Sequence, residues 1–464
     1  MALLLPQSFE TAIAHVAIYK LGAIAVPLAL LFGVEALEYR LQTAGVRAIV
    51  TNAPGLAKMS RIRARLPDLD LVVSVDGRDG AALGFEALVR DASSVFEPAD
   101  TTPDDPAMMI FTSGTTGPPK GALHGHRVLL GHLPGLQMAY EFLPQDGDLM
   151  WTPADWAWAG GLLNALLPSL HLGVPVVCAR FEKFDPESAL LLLERMKVRT
   201  AFIPPTALRM LKTVPDIARR FRHSLRSVGS AGESLGRETF EWASDALGLP
   251  VNEFYGQTEC NAVIASMAGI GVSRPGSIGK AVPGHRVGII DAGGRLMPAG
   301  EPGQIAIARP DPVMFLEYWN SPGATDRKFV GDWMTTGDQG IMDADGYIQF
   351  FGRDDDVITS AGYRIGPGEI EDCIVGHPSV ALAAAVGKPD TLRTEIVKAY
   401  VVLKDGVAPS DALKGEISAF VRDRLSAHEY PREVEFVDSM PLTTTGKVIR
   451  RIFRDRARRE IETA

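Results

Sequence analysis

Between residues 8 and 256, short apolar or β-branched runs alternate with longer stretches whose apolar positions recur at helical spacing. The runs predict strands at 23–26, 48–51, 71–75, 108–111, 174–178, 201–203 and 227–230. The longer stretches predict helices at 9–21, 34–43, 186–197 and 236–247. Such alternation implies a largely parallel sheet covered on both faces, because parallel neighbours need long crossovers. From 277 to 309 the helical period stops, and Pro-Gly and Gly-Gly signals between short strands predict a small antiparallel barrel. Beyond 357 the pattern becomes α+β, with helices at 367–375 and 410–425, strands at 381–386 and 399–403, and a basic helix over 448–459. The fold class expected is therefore α/β: a large N-terminal domain of doubly covered, mostly parallel sheets with a small antiparallel barrel, then a smaller α+β C-terminal domain. Gly352-Arg353-Asp354-Asp355-Asp356 holds three consecutive carboxylates that are costly to bury and easily solvated, which suits an exposed face or a short charged boundary between domains 1–354 and 355–464.

Composition narrows the class of protein. A chain of 464 residues, 46% hydrophobic and 22% charged, is a globular protein too long for one compact core. Its net charge of −9 argues against a general nucleic-acid binder. Three scattered cysteines, Cys178, Cys260 and Cys373, form no CxxC pair, so a reducing, cytoplasmic compartment is expected. The apolar run 21–33 is broken by Pro27 and is shorter than the roughly 20 residues a bilayer needs, so no transmembrane segment is expected.

One stretch carries chemistry. In MIFTSGTTGPPKG (109–121) a buried strand gives way to Thr112, Ser113, Gly114, Thr115, Thr116, Gly117, Pro118, Pro119 and Lys120, with no bulky side chain among them. Glycines allow close backbone approach, hydroxyls add donors, the prolines stiffen the turn and Lys120 adds a point charge. Such a loop suits a triphosphate. A Ser/Thr/Gly-rich surface loop has the same composition, but the preceding strand and the Pro-Pro-Lys-Gly ending favour phosphate binding. The spacing is not that of the Walker loop, which needs Gly-Lys-Ser/Thr five residues after the first Gly.

TSGTTGPPKG resembles the signature loop of the adenylate-forming superfamily, which includes AMP-forming acyl-CoA synthetases, aryl-CoA ligases and luciferases. Further motifs are similar to that family's. YGQTE (255–259) implies magnesium held by Glu259 and an α-phosphate contact from Thr258; Glu253, Tyr255, Gly256 and Gln257 join the expected ATP site. Ser230-Ala231-Gly232-Glu233-Ser234 resembles the segment that holds adenine. Thr336-Gly337-Asp338 offers a carboxylate for the ribose hydroxyls, with Arg353 as a second clamp. PLTTTGK (441–447) resembles the motif carrying the adenylation lysine, which makes Lys447 the bridge between the substrate carboxylate and the α-phosphate. In the superfamily, GRxDD is the pivot of the C-terminal domain, which implies Asp355 as hinge of a mobile lobe. The opening segment LLLPQSFETAIAHVAIYKLGAIAVPL is similar to the interior of such a domain, so a preceding portion of the first subdomain is expected.

The resemblance also implies the second half of the chemistry, in which coenzyme A meets the acyl-adenylate. Thr359-Ser360-Ala361-Gly362-Tyr363-Arg364-Ile365-Gly366 looks like the segment lining the pantetheine tunnel, with Gly362 leaving the thiol unobstructed and Arg364 meeting a phosphate. Arg393, Arg422 and Tyr430 are weaker candidates for the CoA nucleotide. In acetyl-specific relatives a Trp precedes Gln-Thr-Glu; here Gly256 stands there, which implies an open acyl pocket. WTPADWAWAGG (151–161), with Trp151, Trp156, Trp158, Gly160 and Gly161, is the expected apolar wall. The reading is an AMP-forming acyl-CoA synthetase using ATP, Mg2+, coenzyme A and a small carboxylic acid, closest to the medium-chain group. Branched and aryl acids, a carrier-protein acceptor and an inactive nucleotide-binding relative remain open.

Overall fold

The computed structural model describes residues 1–112, 118–181, 183–354, 356–360, 363–390, 393–425, 429–443 and 447–462, with backbone alone at 363, 364 and 462. The first sheet is wholly parallel, in the spatial order Val26–Pro27, Ala2–Leu4, Ala48–Thr51, Leu71–Ser74, Leu83–Gly84. Its crossovers run through the Phe9–Lys20, Val34–Thr43 and Ala53–Ser60 helices. Local chemistry starts them: the Ser8 and Asn52 side chains accept from the Thr11 and Gly55 amides, which would otherwise be orphaned in the first turn.

The second sheet sets Met150–Trp151, Thr200–Phe202, Ser227–Ser230 and Val251–Gln257 in parallel, then turns antiparallel through Asn261–Ala265 and Lys280–Ala281. A hairpin of Pro106–Thr112 and Lys120–Gly125, edged by Glu317–Tyr318, stands beside the first sheet. The two are joined by a bridge between Ala25 and Met108. The C-terminal body packs helices Pro367–Val375, Asp411–Arg424 and Arg450–Glu462 around Val380–Asp390 and Thr394–Leu403, over a core including Ile358, Ile370, Ala399 and Ile417. Among the described residues, no helix is long and apolar enough to cross a membrane.

Four expectations need correction. Residues 174–178 form only a bridge between Met150 and Val176: Pro175 lacks the N–H to extend it on one side, and on the other Gln7 takes the Thr152 carbonyl and the Ala179 amide. The 23–26 strand shrinks to Val26–Pro27, since Ala25 instead exchanges hydrogen bonds with Ala107 and Met109 of the hairpin. Where a barrel was expected, the described strands form an open antiparallel sheet of Val287–Ile290, Pro302–Ala308, Phe329–Val330, Trp333–Met342 and Ile348–Arg353. Nor is the acidic run simply solvated: Asp356 is largely buried and paired with Arg450 and Arg454. Asp355 lies outside the described residues.

Candidate active site

The signature hairpin and the QTE turn meet at one tyrosine. Thr112 and Lys120 face each other where the hairpin opens, and Ser113, Gly114, Thr115, Thr116 and Gly117 lie outside the described residues. The Lys120 ammonium stands 5.5 Å from the ring centroid of Tyr318, within cation–π range. Tyr318 reaches that position because its strand pairs with the hairpin, Tyr318 against Ala122. Its hydroxyl donates to Oε1 of Glu259, a residue only 7% exposed. Burial, then the neighbouring Glu259 charge, holds the Tyr318 hydroxyl well above its ordinary pKa, so it remains a donor. Thr258 sits in the turn directly after the Val251–Gln257 strand, beside this pair.

A second cluster surrounds Asp338. Its Oδ2 accepts from the Tyr255 hydroxyl at 2.5 Å and from Gln257 Nε2 at 2.7 Å. Gln257 Nε2 also donates to the Thr336 carbonyl at 2.8 Å, and its Oε1 accepts from Lys328 at 3.1 Å. Arg353 pairs in register with Asp338 across the sheet, and its Nη2 would lie 3.6 Å from a Cβ on Gly337. Burial raises the Asp338 pKa, and Arg353 opposes that shift. Alternate residues of one strand, Tyr255 and Gln257, thus aim one carboxylate.

The 230–235 segment is fixed from outside. Thr206 donates to Glu233 Oε1 at 2.6 Å, while Arg209 reaches Glu233 Oε2 at 3.2 Å and the Ser234 carbonyl at 2.7 Å. Gly232 has φ +103, a conformation that glycine tolerates. Glu253 is buried and accepts from the Leu235 amide, and desolvation pushes its carboxyl up to about 7. Its observed contacts therefore support the segment from behind.

Lys447 arrives from the C-terminal body. Its backbone is tied to Thr443 by Lys447 N donating to Thr443 Oγ1 at 3.0 Å and by Thr443 N donating to the Lys447 carbonyl at 2.7 Å. Residues 444–446 lie outside the described set. The side chain projects toward Gly232, where an added Cβ would stand 3.9 Å from Lys447 Cε. Water in the open cleft still reaches it, yet desolvation by the walls lowers its pKa, against the pull of Glu233 and Asp338 and together with Arg353. Tyr318 thus joins the segments near 120 and 259, Lys447 lies beside those near 232 and 338, and the Arg353 charge acts on both Tyr318 and Lys447.

Other expected residues are less convergent. Ala361 and Gly362 lie outside the described residues, and Tyr363 and Arg364 form a strand whose side chains are not described. Arg393 follows Asp390, whose carboxylate accepts from its amide. Arg422 is exposed on a helix beside Asp423, and Tyr430 is half-buried against the C-terminal core. Among the described residues these three make no contact with one another.

The acyl wall also differs from expectation. Trp151 and Trp156 are buried in two separate cores. Trp158 packs edge-on to Phe32 at 5.5 Å, and Gly160 lies against Phe202, where a Cβ would come within 3.1 Å of Cε1. Gly256 does not open space in the direction its missing side chain would take. A Cβ there would fall 1.1 Å from the Asn261 carbonyl oxygen, at a register shift between strands, so the close backbone approach requires the glycine.

Tyr318, Lys328, Thr206 and Arg209 were not singled out from sequence. The QTE carboxylate suits a hard cation: Tyr318 fixes one oxygen of Glu259 and leaves the other for a ligand. Among the described residues no three His, Cys, Asp or Glu side chains cluster to hold an ion. A metal here would take one protein carboxylate and complete its shell with phosphate and water, as Mg2+ commonly does.

A hairpin ending in Lys120, a buried carboxylate at Asp338 and Lys447 from the C-terminal body stand together as the motifs of an adenylate-forming enzyme imply. Residues 1–319 match the family of AMP-binding enzymes and residues 369–447 match the AMP-binding enzyme C-terminal domain. The chain belongs to this family. It is 36% identical over 467 residues to the human mitochondrial acyl-coenzyme A synthetase ACSM4, covering 98% of this chain and 79% of that one. It is 34% identical over 450 residues to the uncharacterized acyl-CoA ligase YtcI of Bacillus subtilis, covering 97% and 84%. The crystal structure of the anthranilate CoA ligase AuaEII with anthranoyl-AMP superposes with a TM-score of 0.91 at 29% identity, covering 100% of this chain and 88% of the other.

Proposed function

We propose that this chain is an AMP-forming acyl-CoA synthetase working in two steps. A carboxylate oxygen attacks the α-phosphorus of ATP, the bond to the β-phosphate bridging oxygen breaks, and pyrophosphate leaves. Coenzyme A sulfur then attacks the acyl carbon as its thiol proton is lost, the acyl carbon–oxygen bond breaks, and AMP leaves with that oxygen. The reading is supported by the chain of contacts and charges that links Lys120 and Glu259 through Tyr318, and Tyr318 through Arg353 to Lys447 and Asp338.

The hairpin and Lys120 hold the β- and γ-phosphates, and Thr258 contacts the α-phosphate. Mg2+ bound through Glu259 would offset phosphate charge. Asp338 takes the ribose hydroxyls on the oxygen that Tyr255 and Gln257 leave open, with Arg353 beside it, while 230–234 flank the adenine. Lys447 spans the acid and the α-phosphate, where negative charge is shared in the transition state. Bodies 1–354 and 355–464 then reorient about Asp355, which withdraws Lys447 and brings the 361–364 segment to the acyl group. Arg393, Arg422 and Tyr430 are the candidates for the CoA nucleotide, and the three free thiols suit a reducing, cytoplasmic setting.

Medium-chain or branched acids are favoured by the resemblance of SAGYRIGPGEIE (360–371) to the medium-chain group. Aryl acids form the second reading, supported by the likeness to an anthranilate ligase and by the aromatic pair Phe32 and Trp158. A screen of short, medium-chain and aromatic acids with ATP, Mg2+ and coenzyme A, read as AMP release, is expected to give acid-dependent turnover. Folded enzyme releasing no AMP with any acid would remove the proposal.

A further inference from the structure

The helix Pro367–Val375 belongs to the C-terminal body, yet one face of it lies on the adenylation body. Three positions four residues apart, Gly368, Asp372 and Gly376, make that face at helical spacing. An added Cβ on Gly368 would meet Ser234 Cβ at 3.9 Å, and one on Gly376 would meet Glu238 Cδ at 3.0 Å. Gly376 therefore permits close approach to Glu238, while Gly368 lies at ordinary contact distance from Ser234. Between them, Asp372 Oδ2 accepts from the Glu238 amide at 3.2 Å.

That amide belongs to the first turn of the Arg237–Leu247 helix, whose N-cap position is Gly236 and which has no side-chain cap of its own. Gly236 has φ +77, and a Cβ on it would lie 2.2 Å from Asp372 Oδ1. An L-residue at 236 would thus be strained by its backbone and would also displace the aspartate. The capping group that other helices take from the preceding residue reaches this one from another body. Negative charge at that terminus is also favoured by the helix dipole.

The same arrangement has Lys447 beside Gly232, four residues upstream of the capped terminus. We infer that Asp372 is a positioning residue for adenylation: by capping the Arg237–Leu247 helix across the interface, it holds the C-terminal body where Lys447 enters the nucleotide cleft. Rotation toward thioester formation breaks this contact, so Asp372 acts on one half-reaction and not on the other. The inference rests on the two-step reading above.

The test measures the half-reactions separately on the full chain. Adenylation is read as exchange of labelled pyrophosphate into ATP with octanoate, or with benzoate where the acid screen prefers it, and without coenzyme A. Thioester formation is read from the corresponding synthetic acyl-AMP and coenzyme A. Asp372→Ala is expected to lower exchange by about tenfold while leaving thioester formation at or above the parent rate. Asp372→Asn, which keeps an acceptor oxygen, restores exchange to within about twofold of the parent. Asp372→Glu, whose longer arm no longer fits against Gly236, behaves as the alanine variant and guards against a folding defect peculiar to it. Equal loss in both half-reactions, unchanged exchange in Asp372→Ala, or no recovery in Asp372→Asn overturns the inference. A folded parent without acid-dependent exchange removes the two-step reading instead, whereas a parent that exchanges beside an equally active Asp372→Ala removes only the cap.

Discussion

The two walls of the cleft are built differently. On the adenylation side, Asp338 is held by Tyr255 and Gln257, Gln257 by Lys328, and Glu259 by Tyr318, so each acidic group has its direction set by a neighbour. On the C-terminal side, Lys447 is tied at its backbone to Thr443, while its ammonium lies in the cleft under the charges of Glu233, Asp338 and Arg353. A group that must meet a fixed phosphate gains from preorganisation, because no reorganisation remains at the moment of reaction. In the proposed two-step reaction, a group that arrives and withdraws gains from having its anchor on the C-terminal body alone. Under that proposal the first wall acts as a template and the lysine as a visitor.

The sharpest break in that contrast is Lys447→Ala. Adenylation is expected to slow by roughly 10² to 10³, about 3–4 kcal/mol, while conversion of preformed acyl-AMP to thioester continues, as single-turnover assays of each half would read. The template side responds differently. Asp338→Ala removes a charged acceptor from the ribose and strands Tyr255 and Gln257, so kcat/KM for ATP is expected to fall about 10- to 100-fold, roughly 1.5–3 kcal/mol. Its thioester half-reaction should fall as well, because acyl-AMP carries the same ribose, and parallel steady-state assays check this. Lys328→Met is the mildest change: Gln257 loses one donor and KM for ATP should rise about two- to fivefold with kcat kept, roughly 0.5–1 kcal/mol. A Lys328→Met enzyme with altered kcat and unaltered KM would contradict a supporting role in nucleotide binding.

Much of the fold was legible because strand and helix periods are local. The 48–51 strand and the 34–43 and 367–375 helices stand where their patterns put them, and the helix expected at 236–247 starts only one residue later, behind its N-cap Gly236. The same local logic failed at 174–178, where apolar β-branched residues promised a strand but a missing proline N–H on one side and the Gln7 side chain on the other left a single bridge. Of the motif residues, Lys120, Glu259, Asp338 and Lys447 could be named from sequence as candidates, whereas Trp151 and Trp156 were misread as one wall. Tyr318, Lys328 and Asp372 carried no such mark, since their partners lie 59, 71 and 134 residues away. Such pairs exist only once the sheets have formed.

Gly256 teaches a different limit. A glycine vacates volume only along the direction its Cβ would take, and here that direction runs into the Asn261 carbonyl. Composition shows that a side chain is missing, but backbone geometry decides what the omission serves. Asp356 shows the converse: its run of carboxylates reads as solvated, yet Arg450 and Arg454 from the last helix bury and pair it beside the proposed hinge.

Exchange of labelled pyrophosphate into ATP, measured with an activating acid and Mg2+ but without coenzyme A, tests the shared cleft most directly. The account predicts exchange that depends on the acid, persists without the thiol and collapses in Lys447→Ala. A folded enzyme that forms acyl-CoA yet shows no such exchange, or exchanges equally well without Lys447, would contradict it.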